Sequence, residues 1–184
     1  MGAFRSVWYR LVLLLFAAFL ARLWFVYGPS NPWYALAVAW ATCSLEPALA
    51  APFLGRGPRR WSRVPESERV LHRMVGVRIF GWLLDASGWN RLITPMRRFS
   101  GKKANLLWLE QHARAGAIAH GICFAIHILL ALLALLTQRP WSGALWMLWP
   151  GVVVHLYPVA LQRSMMLRLQ PLLDKAATAG WVGR

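Results

Sequence analysis

Residues 113–140 read ARAGAIAHGICFAIHILLALLALLTQRP, an apolar run that culminates in Leu129–Leu136 and closes at Gln138-Arg139-Pro140. A bilayer core about 30 Å thick is crossed by about 20 helical residues, which hide their own backbone polar groups from lipid. The stretch therefore predicts a membrane-spanning helix over 113–136. Working outward, Trp141 to Leu161 predicts another. Toward the N-terminus, Leu11–Tyr27 and Trp33–Leu54 predict two more, separated by Gly28-Pro29-Ser30-Asn31-Pro32, too polar and proline-rich to continue a helix. With 58% hydrophobic residues and a mean hydropathy of +0.43, the chain is hard to reconcile with a soluble domain. The net charge of +15 would otherwise raise the question of nucleic acid; a membrane protein without a nucleic-acid partner is expected instead.

The cations orient the helices, because short Lys- and Arg-rich loops stay in the cytoplasm. Twelve of the 21 Lys and Arg residues lie between Arg56 and Lys103, linking the second and third predicted helices. Arg5 and Arg10 precede the first helix, and Arg163, Arg168, Lys175 and Arg184 follow the fourth. The other two connections carry only Arg139. A four-helix membrane bundle with both termini in the cytoplasm satisfies this distribution. Trp8, Trp24, Trp33, Trp108 and Trp141 fall near predicted helix ends, where amphipathic rings favour the headgroup region. A cleaved signal peptide is the competing reading of the first segment, but Arg22 and Trp24 suit a cleavage site poorly. Cys43 and Cys123 fall within predicted helices and form no disulfide or metal motif.

Residues 55–112 make the one sizeable non-membrane segment. Gly55-Arg56-Gly57-Pro58-Arg59-Arg60 reads as irregular, whereas Glu66–Leu84 places Leu71, Val75, Ile79 and Leu83 on one face and Arg69, His72 and Arg73 on another. This pattern predicts an amphipathic helix lying on the cytoplasmic membrane surface, stopped by Asp85-Ala86-Ser87-Gly88. The positive-inside rule alone accounts for such a basic loop. A sharper reading has Arg59, Arg60, Arg63, Arg97 and Arg98 gathering anionic headgroups or acyl-carrier phosphates, a role suited to a chain with 18 Arg and 3 Lys. Without repeats or low-complexity tracts, residues 1–184 read as a single all-α membrane domain.

Ionisable groups within apolar spans are costly, and they normally face protein or a polar cavity. Arg22 is close enough to a helix end to snorkel. Glu46, His120 and His155 fall at similar depth in the cytoplasmic half of the predicted bundle, with Pro47 and Pro158 set to free carbonyls nearby. His127, a heptad beyond His120, reads as a helix-to-helix hydrogen bond. Singly, each histidine is better explained by packing; as a layer with Glu46 they form a candidate site.

His155-Leu-Tyr-Pro-Val-Ala-Leu-Gln162-Arg163, followed by Arg168-Leu169, resembles the end of the glycosyl-diaponeurosporenoate acyltransferases, small bacterial membrane proteins of the staphyloxanthin pathway. In that family a proline-containing helix leads into Gln-Arg-Tyr-Asn-Arg-x-Arg-Leu, and Gln162, Arg163, Arg168 and Leu169 fit its spacing. Val75-Gly76-Val77-Arg78-Ile79-Phe80 is similar to the family's loop, and His120 fits a His at the membrane edge. Ser164, Met165 and Met166 replace Tyr-Asn-Arg, His155 replaces Asn, and His112 and Ala117 stand in places of Glu, marking a divergent member.

The resemblance implies transfer of a fatty acyl group to a hydroxyl of a glycosylated carotenoid or other glycolipid, in the bacterial cytoplasmic membrane. It implies no bound cofactor, with acyl-CoA or acyl carrier protein as donor. His120 is the expected general base, oriented by His155 or Glu46, while Gln162, Arg163, Arg168, Arg97 and Arg98 are expected to hold the thioester carbonyl or carrier phosphates. Membrane lipids are the expected partners, with a membrane protein or a second copy of the chain also in view. A non-catalytic membrane subunit is the alternative function. Transport is disfavoured, since four short helices offer little pathway.

Overall fold

The computed structural model describes residues 2–54, 63–93, 105–138 and 141–178; within helices, the side chains described exclude 2–10, 12–13, 92–93 and 138. Among the described residues every regular element is helical: α1 (Gly2–Tyr27), α2 (Pro32–Ala50), α3 (Glu68–Met74), α4 (Val77–Ala86), α5 (Trp89–Ile93), α6 (Leu106–Gln138), α7 (Trp141–Gly151) and α8 (Tyr157–Thr178). A single π-helical stretch, Val152–Leu156, lies between α7 and α8. Pro158 explains much of it, because its ring nitrogen cannot donate to the carbonyl four residues earlier. Three spans, Pro32–Phe53, Leu106–Thr137 and Trp141–Thr178, are long and apolar enough to cross a membrane. Within α1 the apolar stretch Leu14–Tyr27 is shorter. Packing forms two compact units, Met1–Ala48 with Gly121–Leu156, and Leu49–His120 with Tyr157–Arg184.

In the first unit, α1 ends at Gly28, whose φ of 73° suits glycine, and the Gly28 N–H bonds to the Trp24 carbonyl at 2.9 Å. Asn31 then accepts from the Trp33 N–H at 2.9 Å, and Pro32 occupies the first helical position. Tyr34, Ala35, Val38, Ala131, Ala144 and Met147 form the core, with Trp24 edge-on to Tyr34 at 5.7 Å. Phe25, Trp33, Leu36, Trp40, Leu129, Leu136, Trp141 and Trp149 face outward. Small and polar residues inside with large apolar residues outside is the arrangement lipid favours.

The second unit differs from the sequence expectation in two ways. The helix predicted across 66–84 breaks at Gly76, where φ is 72°, into α3 and α4. Its predicted apolar face is outward on both pieces, with Leu71, Val75, Ile79 and Leu83 all exposed. The helices predicted over 113–136 and 141–161 also extend further, as α6 from Leu106 and α8 to Thr178. Contacts of Leu109 with Leu169 and Leu173, joined by Leu106 and Leu107, give these added turns their own apolar core. A second cluster, Val64, Ala113, Ala117, Met166 and Leu167, continues it. Both α3 and α4 pack on α8, and Phe80 stacks on Tyr157 at 4.9 Å.

Candidate active site

Glu68, in the first turn of α3, receives Arg163 of α8 as a two-pronged pair: Nε to Oε2 at 2.7 Å and Nη2 to Oε1 at 2.5 Å. One turn on, His72 brings Nε2 to 3.7 Å from Glu68 Oε2. Two residues of α3 and one of α8 thus share a charge cluster. His72 is 7% exposed, and its Nδ1 is buried without a hydrogen-bond partner. Hydrogen bonding by Arg163 holds the Glu68 carboxyl below its usual range against the opposing effect of burial. Burial pushes His72 down, outweighing the attraction of Glu68, so the neutral ring is favoured.

Beside Arg163, Gln162 lays its amide against α6 at Gly116. A Cβ on Gly116 would stand 2.6 Å from both Gln162 Nε2 and Oε1, so glycine makes room for this side chain. Gln162 Oε1 is buried and without a partner. Arg168 is exposed on α8, and His120 is half-buried on α6. Arg63 meets Asp174 at 3.3 Å, an exposed pair of little energetic weight. Arg97 and Arg98, like Arg59 and Arg60, lie outside the described residues.

The first unit holds a separate polar knot. His127 and His155 are fully buried, with ring centroids 5.4 Å apart. Thr42 Oγ1 lies 2.7 Å from His155 Nε2 and 3.5 Å from His127 Nε2. His127 Nδ1 donates to the Met147 carbonyl at 2.8 Å, which places its proton there. The Thr42 hydroxyl has one proton and two carbonyls in reach, Val38 at 2.9 Å and Ala39 at 3.0 Å. Donation from His155 Nε2 completes the set. Gly151 is required here, because a Cβ would lie 2.7 Å from His127 Cβ. Glu46 is half-buried on α2 in the same unit.

The expected residues therefore divide: Glu46 and His155 belong to the first unit, and His120, Gln162, Arg163 and Arg168 to the second. Thr42, Glu68 and His72 were not among the expected site residues. The i, i+4 spacing of Glu68 and His72 was the available signal, since it puts both on one helical face.

Apolar exteriors around buried polar ties define an α-helical membrane protein. Residues 52–175, about two-thirds of the chain, match the family model of glycosyl-4,4'-diaponeurosporenoate acyltransferase. The chain belongs to that family of membrane acyltransferases. The matched region contains Glu68, His72, His120, His155, Gln162, Arg163 and Arg168 but neither Thr42 nor Glu46. Neither the curated proteins nor the solved structures yielded a match.

Proposed function

We propose that this chain moves a fatty acyl group from a thioester carrier onto a hydroxyl of a glycosylated carotenoid held in the membrane. The family match over residues 52–175 carries this reading, because it spans the helices that bear the Glu68–Arg163–His72 cluster. The acceptor and acyl chain are lipidic, which suits a protein whose exposed large apolar side chains are mostly Leu and Trp. The donor headgroup is polar and anionic, and suits Arg168 together with Arg97 and Arg98. Arg163 holds Glu68 rather than a phosphate, since two of its nitrogens are already bonded to that carboxylate. A multi-pass position in the cytoplasmic membrane, with the basic segment inside, follows from the charge distribution.

Bacterial cells accumulating glycosyl-4,4'-diaponeurosporenoate provide the test. Expression of the chain is expected to convert that lipid to a species heavier by one fatty acyl ester in mass spectra of lipid extracts. Unchanged lipid profiles with the protein present in the membrane fraction would overturn the reading in favour of a non-catalytic subunit.

A further inference from the structure

His72 sits in an unusual position for a merely structural histidine. It is more than nine-tenths buried, and one ring nitrogen faces a carboxylate while the other has no partner. A buried polar atom without a hydrogen bond costs about 1–3 kcal/mol, so native structures rarely keep one without a use. The carboxylate of Glu68 favours the proton on Nε2, which leaves the lone pair on Nδ1. Glu68 is itself clamped by two bonds from Arg163. The nitrogen bearing the lone pair is the one without a partner.

A second observation converges on the same helices. Gln162 adjoins Arg163 on α8, against which α3 packs, and its Oε1 is also buried and unpartnered. His120, the base expected from the sequence, is half-buried and already engaged with a neighbour.

We infer that His72 is the general base of acyl transfer, taking the acceptor hydroxyl proton on Nδ1 while Glu68 and Arg163 fix the ring. The inference rests on the acyltransferase reading above. As the proton moves to His72, the hydroxyl oxygen bonds to the carbonyl carbon of an acyl thioester, giving a tetrahedral oxyanion. Collapse of this species breaks the C–S bond, and the departing sulfur takes the proton back from the imidazolium. An ester and a thiol result, the imidazole is restored, and nothing is oxidised. Acceptor entry must displace the side chains that cover Nδ1, as is common when catalytic contacts form only with substrate bound.

The test uses the full chain in phosphatidylglycerol vesicles with glycosyl-4,4'-diaponeurosporenoate and radiolabelled palmitoyl-CoA or palmitoyl-loaded acyl carrier protein. His72→Gln keeps a polar group toward Glu68 but has no basic nitrogen. Its kcat is expected to fall about 100-fold or more, with the donor KM within about 3-fold and the melting temperature little changed. If wild type transfers label and His72→Gln stays within about 3-fold of it, His72 is not the base. His72→Asn guards against a folding defect. Misfolding of both variants assigns His72 to packing and overturns the inference. If wild type transfers no label from either donor, the acyltransferase reading itself fails.

Discussion

Two glycines separate close packing from open space at the level of single residues. At Gly151 an added methyl meets His127 Cβ at 2.7 Å and Cγ at 2.8 Å, the stiff root of a buried ring. At Gly121 it meets nothing within 4 Å. Gly151→Ala is therefore expected to destabilise the protein by about 1–3 kcal/mol, as overpacking does, whereas Gly121→Ala is expected to be tolerated. Thermal unfolding in detergent distinguishes them, and equal melting temperatures would remove the steric argument. The polar residues were visible in the sequence, but their partners were not. His127 and His155 are recognisable as costly groups in apolar helices, yet helical periodicity fixes a face and leaves the neighbour on another helix undetermined. Thr42, an ordinary residue in an apolar segment, joins them only through tertiary packing.

The corner between α3 and α4 shows at the element scale why some boundaries cannot be read from pattern. Leu71, Val75, Ile79 and Leu83 keep a spacing of four straight through Gly76, so periodicity predicts one helix. The chain turns instead where glycine takes φ of 72°. A β-carbon there is costly, by roughly 1–2 kcal/mol, and asparagine tolerates the conformation better than alanine. Gly76→Ala is expected to lower stability by about 1 kcal/mol and Gly76→Asn by less than half as much, measured by thermal unfolding; identical losses would show that backbone conformation is not the cause. The apolar spans were legible because lipid demands length and composition. The added turns of α6 and α8 were not, because Leu106, Leu109, Leu169 and Leu173 bury each other without needing a membrane. His72 stayed hidden for a related reason: placed between Arg69 and Arg73 in sequence, it reads as solvated until α8 packs on α3.

For the whole molecule, acid should weaken the second unit through both members of its charge cluster. His72 and Glu68 each titrate below their ordinary range in the folded protein, so the unfolded chain binds more protons as the pH falls. The stabilisation is complete above about pH 6.5, begins to fade below it as unfolded His72 protonates, and fades further below about pH 4.5 as Glu68 does. The melting temperature of wild type is thus expected to drop between pH 7.5 and 5.5, and that drop should shrink in His72→Gln. A flat wild-type profile across this interval would contradict the assignment. The scarcity of acids has a wider consequence. With 21 cations and 6 carboxylates, the cations outnumber any specific partner, while Glu66, Glu68 and Asp174 each hold a particular arginine. Mutational drift can therefore exchange or relocate many of the arginines and preserve a positive surface, but it has few spare carboxylates with which to rebuild a lost tie. The rarer charge acts as the address label of this fold, and the abundant one as its background.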